Sequence, residues 1–211
     1  MKSYVLDMDG VVYRGNQLIP GAREFIELLL AQPVGRPPLF AGLYGGLALP
    51  LCLALLLGIA PPLLLGAGRE SVIPLLLLLA CGVLLTLVFT GLAFLVSLLV
   101  VDRARGLGAA ILLWFAATAL YDALLVVLAT SLTDYPLERP LLALVLLNPV
   151  DLGRILLVLR FDAAGLNGYT GAVFERFFGS ALGVVLTFGA LGLWTVVPYL
   201  AGRRRFGQKD F

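Results

Sequence analysis

The chain has 211 residues, of which 61% are hydrophobic and only 13% charged, with a mean hydropathy of +1.02. A soluble domain carries about 25% charged residues, and a single core in a chain of this size cannot hide so much apolar surface, so a lipid bilayer is the expected surroundings. The net charge of +2, spread as short basic groups between apolar runs, is too slight to argue for a nucleic-acid partner, so none is expected, and the lack of any histidine excludes histidine-based catalysis and histidine-metal sites.

Residues 1–27 differ from everything that follows. The opening MKSYVLDMDGVV has one lysine and an apolar stretch interrupted by Asp7 and Asp9, which makes no secretory signal, so no cleaved leader is expected. YVLDMDGVVYRGNQLIPGAREFIELL reads as a strand, a polar turn with Gly15, Asn16 and Gly21, and an amphipathic helix: a short βα-like fragment of soluble character. Composition shifts at AQPVGRPP, where Pro33, Pro37 and Pro38 with Arg36 mark a boundary. Residues 28–211 are then expected to form one all-α transmembrane domain.

A hydrocarbon core of about 30 Å needs about 20 helical residues, and the stretches 39–60, 72–101, 107–132 and 179–201 meet that length. Their continuous apolar length makes them helices rather than strands. The first is expected to stop at Pro61 and Pro62. Arg103 and Arg105 lie between the second and third spans, and Arg203, Arg204, Arg205 and Lys209 follow the fourth. Basic residues favour the cytoplasmic side. One threading satisfies both groups, with both termini cytoplasmic in a multi-pass inner-membrane protein, Arg36 inside and residues 133–178 outside.

The outer segment contains LLALVLLNPVDLGRILLVLRF, long enough to suggest a fifth span. Asp151 and Arg154 near its middle argue against one, at about 2.5 to 3.5 kcal/mol each on an insertion scale, and an extra crossing would put the Arg203 group on the wrong side. An external amphipathic helix is expected instead, with Asn148 as N-cap, Pro149 as first residue and Asp151 as a first-turn acid. Such a helix lies on the membrane face or caps the bundle.

Within the spans, Asp122, next to Tyr121, is the acid that calls for an explanation, because an intramembrane carboxylate is a functional candidate. It either faces a substrate path or bonds within the bundle to a polar neighbour such as Thr118, and packing is the preferred role. Cys52 and Cys81 fall inside apolar runs and read as small packing residues, with no disulfide or metal spacing. Gly42 with Gly46, and Gly179 with Gly183, have the spacing that lets helices approach closely.

Two chemical patterns remain. In Asp7-Met8-Asp9-Gly10-Val11-Val12, one carboxylate at a strand end can attack phosphorus while a second, two residues on, protonates the leaving group, and both can hold Mg2+. DMDGVVYRGNQLIPGAREFIELL resembles the opening of haloacid-dehalogenase-like phosphatases, which implies catalytic and Mg2+-binding roles for Asp7 and Asp9. That family also uses a downstream lysine and a further acidic pair, whereas the only lysines here are Lys2 and Lys209. The resemblance therefore implies an incomplete site, and a membrane-anchored Mg2+-dependent phosphatase stands as the alternative function.

From about residue 28, LLLAQPVGRPPLFAGLYGGLALPLCLALLLG, RGLGAAILLWFAATALYDALLVVLA, LVLLNPVDLGRILL and LWTVVPYLAGRRRF resemble, in order, type-2 ATP-binding-cassette permeases, in particular those of nitrous-oxide reductase maturation. The resemblance implies a homodimeric permease subunit without cofactor or metal, working with a separate ATP-binding subunit, since no Walker motif occurs in this chain. It implies that Gln32, Pro33 and Arg36, and Asp102, Arg103 and Arg105, contact that ATPase. It also implies six spans where hydropathy gives four. The phosphatase-like segment stands where the first two would be, joined near residues 24–32, so a truncated or fused, nonfunctional permease is a further alternative.

Overall fold

The computed structural model describes residues 13–14, 17–18, 20–21, 24, 35–65, 69–100, 102–131, 138–161 and 179–208. Apart from a minimal antiparallel pair, β1 (Tyr13–Arg14) and β2 (Gln17–Leu18), the described residues are almost entirely helical. Gly21 lies in the left-handed region at φ 85°, where only glycine sits without steric cost.

The helices are α1 (Arg36–Leu65), α2 (Arg69–Leu99), α3 (Arg103–Phe115), α4 (Tyr121–Ser131), α5 (Glu138–Leu146), α6 (Pro149–Phe161) and α7 (Ala181–Gln208). A π-helical turn, Ala116–Leu120, joins α3 to α4 into one rod. Four helical segments are long and apolar enough to cross a membrane: Arg36–Pro62, Val72–Leu99, Ala104–Leu128 and Ala181–Gln208.

The helix ends follow local chemistry. In α1, Pro37 and Pro38 fall in the first turn, where a missing N–H breaks no ladder bond. The expected stop at Pro61 and Pro62 is not observed, because α1 continues through both, and through Pro50, to Leu65. Apolar surroundings offer the backbone no water to turn to, so the helix persists with the loss of a few bonds. Asp102 caps α3, its Oδ1 accepting the Arg105 N–H at 2.9 Å. At the other extreme, α7 extends past residue 201 to Gln208, because Arg203–Arg205 suit the negative end of the helix dipole.

The hub is α2, which packs on α1, α3, α6 and α7. Its close approaches are set by glycines. A Cβ on Gly91 would lie 3.3 Å from Cβ of Pro198 and 3.6 Å from the Tyr199 nitrogen, and one on Gly82 would strike Leu55. Gly202 of α7 has the Phe40 ring in the same position, 3.0 Å from where a Cβ would be. By contrast nothing approaches Gly42 or Gly46 within 4 Å. The expected close packing along that stripe is absent among the described residues, because this face of α1 points away from the bundle.

Phe40 and Tyr44 of α1, Phe94 of α2, and Tyr199 and Phe206 of α7 form one aromatic cluster with centroids 5.0–6.1 Å apart. Beside it, Arg36 donates from Nη1 to the Gly207 carbonyl at 2.8 Å, satisfying an acceptor at the C-terminus of α7. These contacts bring Arg36, the start of α3 and Arg203–Arg205 to one end of the bundle, called here the arginine end.

The α5–α6 pair enters from the far end. The long apolar run is not one helix, since it breaks at Leu147 and Asn148, between α5 and α6. Nor does α6 behave as an amphipathic helix laid on the surface. Leu152, Ile155 and Leu156 are buried in one cluster with Cys81 of α2 and Leu191 of α7. Between Asp151 and Arg154 near its start and Arg160 near its end, the helix carries only apolar side chains, the pattern of a buried element. Gly153 permits the approach, with Leu85 Cδ1 at 3.2 Å from where its Cβ would be.

Candidate polar site between the third span and α6

The third span is the least embedded of the four. It meets α2 through α3 near the arginine end, and its other half meets α5 and α6 through α4 and the π turn. That second attachment is polar. Tyr121 donates its hydroxyl to the Leu144 carbonyl of α5 at 2.7 Å. Asn148 donates one amide hydrogen bond to the Ala117 carbonyl in the π turn at 2.7 Å and another to Asp151 Oδ2 at 2.9 Å. Its Oδ1 accepts the Val150 N–H at 3.0 Å, so the same side chain caps α6 and binds the third span. A π turn displaces carbonyls from the regular ladder, which is where a side chain can insert.

The centre of the site is charged. Arg154 donates to both oxygens of Asp122 in a two-pronged pair, and through Nη2 to Asp151 Oδ1 at 2.9 Å. The Asp151 side chain is 1% exposed, whereas those of Asp122 and Arg154 are 31% and 49% exposed. Burial, reinforced by the neighbouring Asp122 carboxylate, pushes the Asp151 carboxyl up to about 6. The Asp122 carboxylate in turn holds the Arg154 guanidinium above its usual range. Among the described residues no buried side-chain nitrogen or oxygen lacks a hydrogen-bond partner, the buried Asp151 carboxylate included.

The expected partner of Asp122, Thr118, is elsewhere. Its hydroxyl donates to the Trp114 carbonyl one turn back, at 2.9 Å, as an intrahelical bond. The partner is Arg154, 32 positions along the chain. An intramembrane acid signals that some cation or polar group must meet it, but no spacing rule connects two residues on different helices. Tyr121, Asp122, Asn148, Asp151 and Arg154 were separate candidates in the sequence, and the fold gathers them into one constellation.

The residues implied as ATPase contacts divide differently. Arg36, Asp102 and Arg105 lie at the arginine end, with Arg36 engaged on Gly207 and the Asp102 carboxylate turned onto its own helix as a cap. Arg103 opens α3, with its side chain outside the described residues, and Gln32 and Pro33 lie outside them altogether, as do Asp7 and Asp9. Cys52 and Cys81 are free thiols, with Cys81 in the core. Between α1, α2 and Trp114 of α3 an open, apolar groove of 710 Å³ runs past Leu51, Phe89 and Thr90. The Thr90 hydroxyl is spent on the Thr86 carbonyl of its own helix.

With the four spans and this site in view, the family comparison is direct: residues 22–211 match the family described as ABC-2 family transporter protein. The chain belongs to that family. It is a multi-pass membrane protein of that family, with four helices among the described residues long and apolar enough to cross a membrane. A curated relative, "Probable ABC transporter permease protein NosY" of Pseudomonas aeruginosa, is 32% identical over 182 residues, which cover 83% of this chain. The chain spans 62% of that relative's length. The match begins at residue 22, just before the proline-rich boundary, and includes the whole polar site.

Proposed function

We propose that the chain is the membrane-spanning permease subunit of an ATP-binding-cassette exporter, working as a dimer with a separate ATP-binding subunit. The observation that carries this reading is the family match along residues 22–211, supported by the four spans on which it falls. Both termini are placed in the cytoplasm, in the inner membrane, on the positive-inside argument: Arg36, Arg105 and Arg203–Arg205 share one end. Nucleotide-dependent movement of the ATPase would press on that end and reach the far end through the rods α1, α2, α3–α4 and α7.

In this mechanism the polar site joins two moving parts. The far half of the third span is tied to α5–α6 by hydrogen bonds and an ion pair, so the α5–α6 pair follows the third span when it tilts. Charged contacts suit such a joint because they can break and re-form between discrete arrangements. Service of metalloenzyme maturation is proposed on the likeness to NosY and on the resemblance carried by LVLLNPVDLGRILL.

The decisive experiment isolates the tagged chain from native membranes in mild detergent. An ATP-binding subunit identified by mass spectrometry in the eluate, with ATP hydrolysis by the complex, is the expected result. Arg36→Glu combined with Arg105→Glu should remove that subunit while leaving the bundle folded. Cross-linking of the detergent-solubilised chain should give a dimer. A chain that elutes without an ATPase under conditions where the fold is intact would sink the proposal.

A further inference from the structure

Among the described side chains, the charge at the polar site does not balance. Two carboxylates, Asp122 and Asp151, converge on one guanidinium, Arg154, leaving one negative charge in excess. Any compensating charge must come from outside the trio, and the surrounding elements offer none among the described residues. From α2 the titratable group packed in this region is the Cys81 thiol. From the π turn and α4 they are Tyr121 and Asp122 themselves, and Tyr121 is committed to the Leu144 carbonyl. From α7 the contacts are Val184, Phe188, Ala190 and Leu191, none of them ionisable. The arginines of α7 lie at the opposite end of that helix. The side chains of Glu138 and Arg139 on α5 and of Arg160 on α6 lie outside the described residues.

The hydrogen-bond geometry decides what can supply the missing charge. Both Asp122 oxygens accept from Arg154; one Asp151 oxygen accepts from Arg154 and the other from Asn148. A metal cation would need several free oxygens and would sit against the guanidinium. A proton needs only one lone pair on either carboxylate, and it leaves the existing donors in place. Asp122 lies six residues before the end of its span at Leu128, ~9 Å at 1.5 Å per residue. That distance is short for a proton entering from the far side.

We propose that Asp122, Asp151 and Arg154 form a proton-responsive clamp, in which one proton shared by the two carboxylates balances the site and closes the third span onto α6. With the proton bound, the trio is neutral and Arg154 bridges both helices. Without it, two carboxylates repel across a single guanidinium, and since Asp151 is buried and held by Asn148, Asp122 is the one that moves away. Alkaline conditions on the far side therefore loosen the third span, and acidic conditions seat it. The clamp depends on the fold alone and stands apart from the transport reading.

The full chain in lipid nanodiscs tests this by infrared spectroscopy. A protonated-carboxyl band is expected to disappear as pH rises between about 5 and 8, and to be absent in Asp151→Asn and Asp122→Asn. Using both variants keeps the test decisive if one of them misfolds. In parallel, spin labels at Val127→Cys and Leu147→Cys, in a background lacking Cys52 and Cys81, read the distance between α4 and the α5–α6 turn. The distribution should broaden or lengthen as pH rises in the otherwise unaltered chain and stay constant in Asp151→Asn. A wild-type spectrum without a titrating carboxyl band overturns the proposal. So does a titrating band accompanied by an unchanged distance distribution.

Discussion

The two ends of the bundle are held by different forces. At the arginine end, α1, α2 and α7 meet through five aromatic rings and through glycines that let backbones come close. At the far end, the third span meets α6 through an ion pair, an asparagine and a tyrosine hydroxyl. The first kind of contact is short-ranged and unforgiving of size; the second is directional and sensitive to charge. Lipid tails compete poorly with close packing but not at all for a guanidinium, so the polar joint holds two elements that share little surface.

Charge removal at the far end should have the largest effect. Arg154→Leu leaves Asp151 buried without its cation and Asp122 without its partner, a loss on the order of 3 kcal/mol or more. Thermal unfolding in detergent, followed by a thiol-reactive dye on the buried Cys81 in a Cys52→Ser background, should show a large drop in midpoint. An unchanged midpoint would mean that the trio contributes nothing to holding the third span. Arg154→Lys should recover only part of the loss, because an ammonium cannot bridge two carboxylates with a planar fork.

Size should dominate at the arginine end. Gly91→Leu forces a side chain against Pro198 and the Tyr199 backbone, where neither can swing aside, at a cost of roughly 1–3 kcal/mol. Gly42→Leu is the contrasting change: nothing lies within 4 Å, so the midpoint of the isolated chain should barely move. Equal effects at the two glycines would erase the distinction between a packed and an open face of the bundle. At the far end the smaller counterpart is Asn148→Ala, expected to cost about 1–2 kcal/mol through the lost cap and the lost bond to Ala117. The same dye assay reads it.

The difference between the ends also explains what the sequence disclosed. Long apolar runs between arginine groups are one-dimensional features, and the four spans were legible from them. So was the start of α6, since Asn148 and Pro149 act on their immediate neighbours. Pairings between helices were not. Nothing in the spacing of Asp122 and Arg154 says that they meet, and Thr118, one turn away, was the nearer choice until its hydroxyl proved to be spent on its own helix. Gly42 and Gly46 misled for a similar reason: the spacing of small residues shows that a helix could approach, not which face it meets. For α6 the sequence leaves open a place on the membrane face or a cap on the bundle; Asp151 and Arg154 suggest a wet surface, whereas each is satisfied by a partner from another turn or another helix and the helix packs on the bundle.

A modest effect of pH separates the ends most cleanly, because it acts through the raised Asp151 carboxyl at the far end. Burial raises the Asp151 carboxyl to about 6, above the value an exposed aspartate takes in an unfolded chain, so the folded state holds the proton more tightly. Between the two values the folded chain binds more protons than the unfolded one, and stability must fall as pH rises through that window. Lowering the pH from about 7 to about 5 should therefore stabilise the chain, by about 1 kcal/mol for a single group shifted this far. Paired carboxylates held down by a cation would give the opposite slope, so the sign of the change tests whether burial or Arg154 governs Asp151. Asp151→Asn should flatten the pH profile, while Gly91→Leu, which disturbs only the packed end, should lower the whole curve and leave its slope intact.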